Sequence, residues 1–170
     1  PDTRQEQILL NTGIATIPNL VNYLHIMAYD QNSGHHSSYE YGIKVVDQGI
    51  KLGLPKEKLT LGLPFYGRNS KTGDWTTYED IVQKYHPLNS TLDIVPVKSN
   101  DNDKKKKRRS NNKDNTFITF NGINTISKKT EYAYNSGIGG VMVWEGGQDC
   151  RLEEVIRDGQ THVKTCPNGE

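Results

Sequence analysis

Three short stretches of the chain are almost continuously apolar: residues 21–29, 59–66 and 139–144. A strand with one wet face alternates apolar and polar positions, so unbroken runs of this length predict parallel strands covered on both faces. Between the first two, Tyr39, Gly42, Ile43, Val46 and Ile50 recur at steps of three and four, which places them on one face of a helix. Gly53 and Pro55 end that helix, the glycine by accepting a left-handed backbone and the proline by breaking the hydrogen-bond ladder. A second, weaker stripe of Ile123, Ile126, Thr130, Ala133 and Tyr134 precedes the third strand and ends at Ser136-Gly137. Residues 149–158, with Leu152, Val155 and Ile156, read as a closing helix. Such strand–helix–strand alternation predicts an α/β fold with parallel pairing and right-handed crossovers. At the N-terminus, residues 4–10 read as helix, and Gly13 and Pro18 interrupt whatever follows.

The rhythm breaks between Arg68 and Thr116. Residues 78–85 read as a short helix, and residues 93–97 and 116–120 as two strands of an appended hairpin or small sheet. Residues 99–115 contain no apolar side chain and are nearly all Lys, Arg, Asn and Asp. A stretch that can bury so little does not offset its ordering entropy, and a mobile loop is expected.

Composition narrows the picture. With glycine included, the apolar share is about 42%, slightly under the ~45–50% usual for globular chains. No apolar run approaches the ~20 residues that cross a bilayer, so no membrane span is expected. The formal charge of +1 excludes a globally basic surface, and seven Lys/Arg with three Asp between Asp101 and Asp114 make the positive charge one loop's property. The run from Lys104 to Arg109 has no interleaved aromatics, which favours a solvated insert over a nucleic-acid contact. Cys150 and Cys166 can close one disulfide in an oxidising compartment or remain thiols. Asn89-Ser90-Thr91 fits the N-glycosylation acceptor pattern, which matters only in a secreted chain. His35-His36 invites a metal, but adjacent side chains of an extended segment point in opposite directions, and no metal or other cofactor is expected. Neither a phosphate-cradling glycine loop nor a Gly-x-Ser-x-Gly elbow is present.

Parallel strands carry their chemistry at their C-terminal ends, where loops converge. Those ends hold Met27, Tyr29 and Asp30, then Tyr66 and Arg68, then Trp144 and Glu145. An aromatic face covers the apolar side of a pyranose, while carboxylate, hydroxyl and guanidinium bind its polar edges, so this set suits a carbohydrate. Trp144, Tyr66 and Met27 taken singly read equally as core residues. Asp30 and Arg68 do not, because charges at strand ends need partners or water. Trp75 is a candidate for further sugar stacking or for packing.

Three segments carry a resemblance. The run Asn22-Tyr-Leu-His-Ile-Met-Ala-Tyr-Asp30, ending in Met-x-Tyr-Asp, resembles the sixth-strand motif of glycoside hydrolase family 18, the chitinases and their relatives. The run Lys58-Leu-Thr-Leu-Gly-Leu-Pro-Phe-Tyr-Gly-Arg68 is similar to that family's seventh strand. The third, Gly137-Ile-Gly-Gly-Val-Met-Val-Trp-Glu-Gly-Gly-Gln-Asp149, is similar to its eighth strand and following turn. The resemblance implies the C-terminal half of a (β/α)8 TIM barrel, a fold of ~250 residues, with a small α+β insertion after the seventh strand. Residues 1–68 would hold barrel strands six and seven with their helix, 69–122 the insertion with its basic disordered loop, and 123–170 the last barrel helix, eighth strand and closing segment.

The family's acid motif, Asp-x-x-Asp-x-Asp-x-Glu, does not occur in this sequence. With Pro1 first, the chain reads as an excerpt that begins after that strand, so no residue on it is expected to act as general acid. The resemblance implies a substrate-assisted, retaining hydrolysis of β-1,4-linked N-acetylglucosamine polymers by the full-length parent, an exception to the two-carboxylate scheme. Tyr29 would hold the acetamido oxygen and stabilise the oxazolinium ion. Trp144 would floor the sugar before the scissile bond, Asp30, Tyr66 and Arg68 would hydrogen-bond the flanking sugars, and Met27 would line the pocket. The implied partners are chitin or chitooligosaccharides, with neither nucleic acid nor membrane; the implied parent is a secreted, extracellular monomer. The alternative is a non-catalytic, chitin-binding chitinase-like lectin.

Overall fold

Every residue of the segment Leu59–Pro64 is buried, because it is the middle strand of a sheet with neighbours on both edges. In the computed structural model, residues 16–32, 34–97 and 116–149 are described in full, and 153–157 and 160–164 by their backbone. The first helix, α1 (Ile17–Leu20), is one turn with Pro18 at its start, so Pro18 begins this turn; its missing N–H costs nothing there. Strand β1 (Leu24–Ile26) follows, then α2 (Tyr39–Lys51) and β2 (Leu59–Pro64). The α2 helix starts where Ser38 accepts the Tyr41 N–H and ends before Gly53, whose φ of 91° only glycine adopts easily.

The chain then turns back at Phe65 into β3 (Tyr66–Asn69) and β4 (Trp75–Thr77), followed by α3 (Tyr78–Lys84), β5 (Ile94–Pro96) and β6 (Phe117–Thr119). Next come α4 (Ile123–Ser136), closed by Gly137 in the left-handed region, and β7 (Gly140–Trp144). The parallel sheet has the order β1-β2-β7 and the antiparallel one β4-β3-β6-β5. The third strand segment thus runs from Gly140, one residue later than the apolar run, and the first strand is confined to three residues. Tyr66 and Arg68, expected at the end of a barrel strand, lie instead on β3 of the second sheet, which therefore opens two residues before the expected boundary at 68.

Residues 149–158 were expected as helix. Their backbone forms strand β8 (Glu153–Arg157), paired antiparallel with β9 (Gln160–Lys164) in a register that sets Arg157 opposite Gln160. The physical reason is local: Val155, Ile156, Thr161 and Val163 are β-branched, and the two residues between the strands are Asp158-Gly159, the dipeptide most favoured in two-residue hairpin loops. The basic stretch 99–115, the expected helix at 4–10, Cys150 and Cys166 lie outside the described residues.

Pleating sends Leu59, Leu61 and Leu63 to one face of the first sheet, where they meet Val46 of α2, Ala133 of α4 and Ile138. Gly42 and Gly49 face Leu61 and Leu59, where a Cβ would come to ordinary contact at 3.4 and 3.6 Å. The opposite face carries Thr60, Gly62 and Pro64, and the register pairs these with Gly140, Met142 and Trp144. On that face His25 Nδ1 lies 2.6 Å from Thr60 Oγ1. A second core, Ile81, Val95, Ile118 and Phe120, fills the space between α3 and the antiparallel sheet.

Two strands and a ring meet at Gly62: a Cβ there would sit 2.6 Å from the Ile26 carbonyl oxygen and 2.8 Å from Tyr29 Cε1. The Ile26 carbonyl cannot retreat without disturbing the β1–β2 pairing, in which Ile26 is registered with Leu61. Gly62→Ala is expected to lower unfolding stability by about 2 kcal/mol in urea titration, the cost typical of overpacking; an unchanged midpoint would show that β1 is free to shift.

Candidate carbohydrate-binding site

A single backbone joint sets the geometry. Phe65 separates β2 from β3; its N–H donates to the Trp144 carbonyl at 2.8 Å and its carbonyl accepts the Tyr78 N–H at 3.1 Å. The second sheet is therefore hinged to the C-terminal end of β7, and Tyr66 and Arg68 return over Trp144. Arg68 is registered between Trp75 on β4 and Thr119 on β6.

Asp30 is the electrostatic centre. It is the one non-glycine with positive φ (64°) among the described residues, a conformation aspartate tolerates better than most. Its Oδ1 accepts the Tyr66 hydroxyl at 2.8 Å and lies 3.4 Å from Arg68 Nε and 3.7 Å from His36 Nδ1. Burial and the bond to Asp30 push the Tyr66 phenol far above its ordinary range, so it stays a donor. Tyr29 packs edge-on against Tyr66, with ring centroids 6.1 Å apart, and its buried hydroxyl has no partner among the described residues. Burial first, and the Asp30 carboxylate second, also raise the Tyr29 phenol above its usual value.

A cavity of about 350 Å³ opens above this cluster, lined by Asp30, Tyr66, Arg68, Trp75, Trp144, Glu145 and Gln148. Four of the sequence-derived residues thus line one hollow, and Tyr29 backs it through Tyr66. Trp144 is 51% exposed and presents a broad apolar surface; the Trp144–Glu145 peptide is cis. Met27 is not among the lining residues and is 66% exposed, one residue past the end of β1. Trp75, read as ambiguous, stands edge-on to Tyr66 at 6.4 Å and lines the cavity.

Sequence reasoning missed Gln148 and His36. Gln148 is buried on the short 3-10 turn Gly146–Asp149, and its amide nitrogen reaches Glu145 at 3.4 Å. No periodic signal marks a single turn of this kind. The sequence offers His36 only as a metal candidate, beside a neighbour that an extended segment would point the other way. Residues 36 and 37 form a turn, so the rings of His35 and His36 stack instead, with centroids 5.8 Å apart and planes at 15°. Among the described residues no group of three or more His, Cys, Asp or Glu side chains is placed to hold a metal ion. No helix among them is long and apolar enough to cross a membrane.

A second polar anchor lies behind the site. Lys129 of α4 is fully buried and donates to the Ser37 carbonyl (3.0 Å), Ser37 Oγ (2.8 Å) and Asn121 Oδ1 (2.8 Å). Burial lowers its ammonium to about 8. Ser37 Oγ donates in turn to the Ala28 carbonyl at 2.8 Å, so the loop that leaves Asp30 is tied back to the backbone two residues before it.

The sequence matches the family model described as Glycosyl hydrolases family 18 over residues 3–149. The chain belongs to that family. Among curated relatives, "Probable chitinase 2" of Drosophila melanogaster is 27% identical over 91% of this chain and 40% of its own length. "Chitinase 2" of Yersinia entomophaga is 31% identical over 66% of this chain and 22% of its own. The chain therefore spans less than half the length of these relatives. Among solved structures, the family 18 chitinase ChiB of Flavobacterium johnsoniae superposes with a TM-score of 0.59 at 31% identity, covering 79% of this chain and 40% of that one. A family 18 chitinase of Cycas revoluta, solved with (GlcNAc)3, has a TM-score of 0.60 at 18% identity over 81% of this chain and 46% of that one. These neighbours give family 18 membership its architecture here, a TIM-barrel-type α/β fold.

His36, 1% exposed, has neither ring nitrogen hydrogen-bonded among the described residues. Burial, followed by the neighbouring His35, lowers its pKa from 6.5 to about 4, against the pull of Asp30. The unfolded chain protonates this ring near 6.5 while the folded one waits until about 4, so stability contributed by the neutral ring is present above 6.5 and lost as pH falls through that window. The full loss is about 3 kcal/mol. Denaturant unfolding at pH 7 and pH 4 is expected to show this loss in the wild type and a smaller one in His36→Phe; equal pH dependence would mean that the ring titrates normally.

Proposed function

We propose that this chain supplies the sugar-holding side of the active site of a secreted, chitinase-like glycosidase, as the C-terminal half of the barrel with its α+β insertion. The observation that carries this reading is the meeting of Asp30, Tyr66, Arg68 and Trp144, drawn from three separated segments, around one cavity with a half-exposed indole. An indole beside a carboxylate–phenol–guanidinium cluster matches an amino sugar, whose ring offers an apolar face and whose hydroxyls and amide offer donors and acceptors.

In this reading Trp144 stacks under the sugar before the scissile bond. Asp30, Tyr66 and Arg68 hydrogen-bond the sugars on either side of the cut. The Tyr29 hydroxyl, already buried and unpaired among the described residues, holds the acetamido oxygen while that oxygen attacks the anomeric carbon, giving an oxazolinium ion and retention. The leaving oxygen still needs a proton. A phenol held far above its ordinary range cannot supply it, an arginine cannot either, and the family's Asp-x-x-Asp-x-Asp-x-Glu motif is absent from this sequence. In this reading the cavity's residues, its carboxyl groups Asp30 and Glu145 included, serve binding, and protonation falls to the glutamate of that motif.

Titration calorimetry with chitohexaose tests the reading. The 170-residue chain is expected to bind it and Trp144→Ala to bind at least about tenfold more weakly, a change of about 1.4 kcal/mol. Hydrolysis by the chain alone is expected to stay at background. No binding by the wild type would overturn the sugar site, and efficient turnover would overturn the division of labour.

A further inference from the structure

Asn89-Ser90-Thr91 is the single Asn-x-Ser/Thr tripeptide of the sequence, and the sugar cavity does not use it. It lies in the segment between α3 and β5, with Asn89 and Thr91 both exposed. Its fold is specific. Asn89 Oδ1 accepts two hydrogen bonds from the same residue, the Thr91 N–H at 2.9 Å and the Thr91 hydroxyl at 2.9 Å. The Leu92 N–H closes the turn on the Asn89 carbonyl at 3.0 Å, and the Asn124 N–H at the head of α4 fastens it through the Ser90 carbonyl at 3.2 Å.

A carboxamide nitrogen is a poor nucleophile because its lone pair is delocalised into the carbonyl. Two donors on Oδ1 stabilise the charge that accumulates on oxygen, which makes the Nδ2 protons easier to lose. Nδ2 itself makes no hydrogen bond to any described residue, so a substituent there breaks none. The side chain is also presented where a bulky polar group meets no protein.

We infer that Asn89 is an N-glycosylation site, modified by transfer from a lipid-pyrophosphate-linked oligosaccharide in the secretory pathway. Nδ2 attacks the anomeric carbon of the first sugar as one of its protons passes to a base of the transferase. The N–C bond forms, the C–O bond to the pyrophosphate breaks, and the bonding pair leaves with the lipid pyrophosphate; nothing is oxidised or reduced. The turn displays Leu92 at 41% exposure and Ile94, the first residue of β5, is 48% exposed; a glycan stem on Asn89 would cover this apolar surface.

The inference requires entry into the secretory pathway and is independent of whether the cavity binds sugar. The full chain, fused to a cleavable secretion signal, is translated with endoplasmic-reticulum microsomes, and the protease-protected fraction is read by electrophoresis. The wild type is expected to show one discrete mobility increment that endoglycosidase H removes. Asn89→Gln and Thr91→Ala are expected to lose it, and Thr91→Ser, which keeps the hydroxyl, to retain it. A protected wild-type chain with no increment would overturn the inference, as would an increment that survives in Asn89→Gln.

Discussion

One residue, Phe65, stands between the parallel sheet and the antiparallel one, and the position of nearly every cavity residue follows from how it is held. Its N–H is spent on Trp144 and its carbonyl on Tyr78. With both backbone groups engaged, the chain reverses without a flexible linker, and the first residues of β3 land beside the last residue of β7. Tyr66 can then reach Asp30, which comes from the third corner of the site. The hydroxyl–carboxylate bond at 2.8 Å and the guanidinium at 3.4 Å thus join the end of the first strand to the second sheet. A site assembled this way is preorganised by backbone pairing, with side-chain hydrogen bonds fixing only the last ångströms.

The same loop carries a heavy load of buried polar groups. Lys129 replaces a core residue on the inner stripe of α4, three positions from Ile126 and four from Ala133, and meets only neutral oxygens. An ammonium so placed is costly to desolvate, and its three donors are each matched, which is the condition under which such burial is tolerated. Ser37, Asn121 and Lys129 therefore act as one unit: removing any of them would strand the others. His36 sits on the far side of this loop, between the rings of His35 and Tyr66, and fills by shape a space its nitrogens do not fill by hydrogen bonding. Rigid packing behind Asp30 explains how a non-glycine residue is kept at positive φ.

The parallel strands, α2, α3 and α4 were legible because each is long enough, or apolar enough, for its period to show, and because Gly53, Pro55 and Gly137 punctuate them. The resemblance carried in three segments matched the family found over residues 3–149. What was not legible depends on non-local partners. Nothing local says that Lys129 is buried, since its neighbours in the sequence include Lys128 and Glu131 and its acceptors are Ser37 and Asn121, far along the chain. His36 looked extended because the turn at 36 and 37 has no proline and its glycine lies two residues earlier. The segment after Asp149 offered apolar residues at both helical and strand spacing, and the β-branched pair Val155-Ile156 with Asp158-Gly159 should have outweighed the spacing. Only the motif marks Met27, which lies one residue past β1 and is exposed.

Two kinds of polar atom remain around the cavity, and they differ in what a ligand could do for them. The Asp30–Tyr66–Arg68 group meets at Asp30 Oδ1, so a sugar hydroxyl approaching that oxygen must insert into or extend existing contacts, and the gain there is small. The Tyr29 hydroxyl and Gln148 Oε1 are buried without partners among the described residues. An unmet buried donor or acceptor carries its desolvation cost before any ligand arrives, so a ligand that meets it recovers that cost in full. In the proposed reading the acetamido group is the part of the sugar that would meet Tyr29, and discrimination between N-acetylglucosamine and glucose then rests on that hydroxyl more than on the carboxylate cluster. On that reading the cluster would fix where the sugar lies, and the Tyr29 hydroxyl would select which sugar it is.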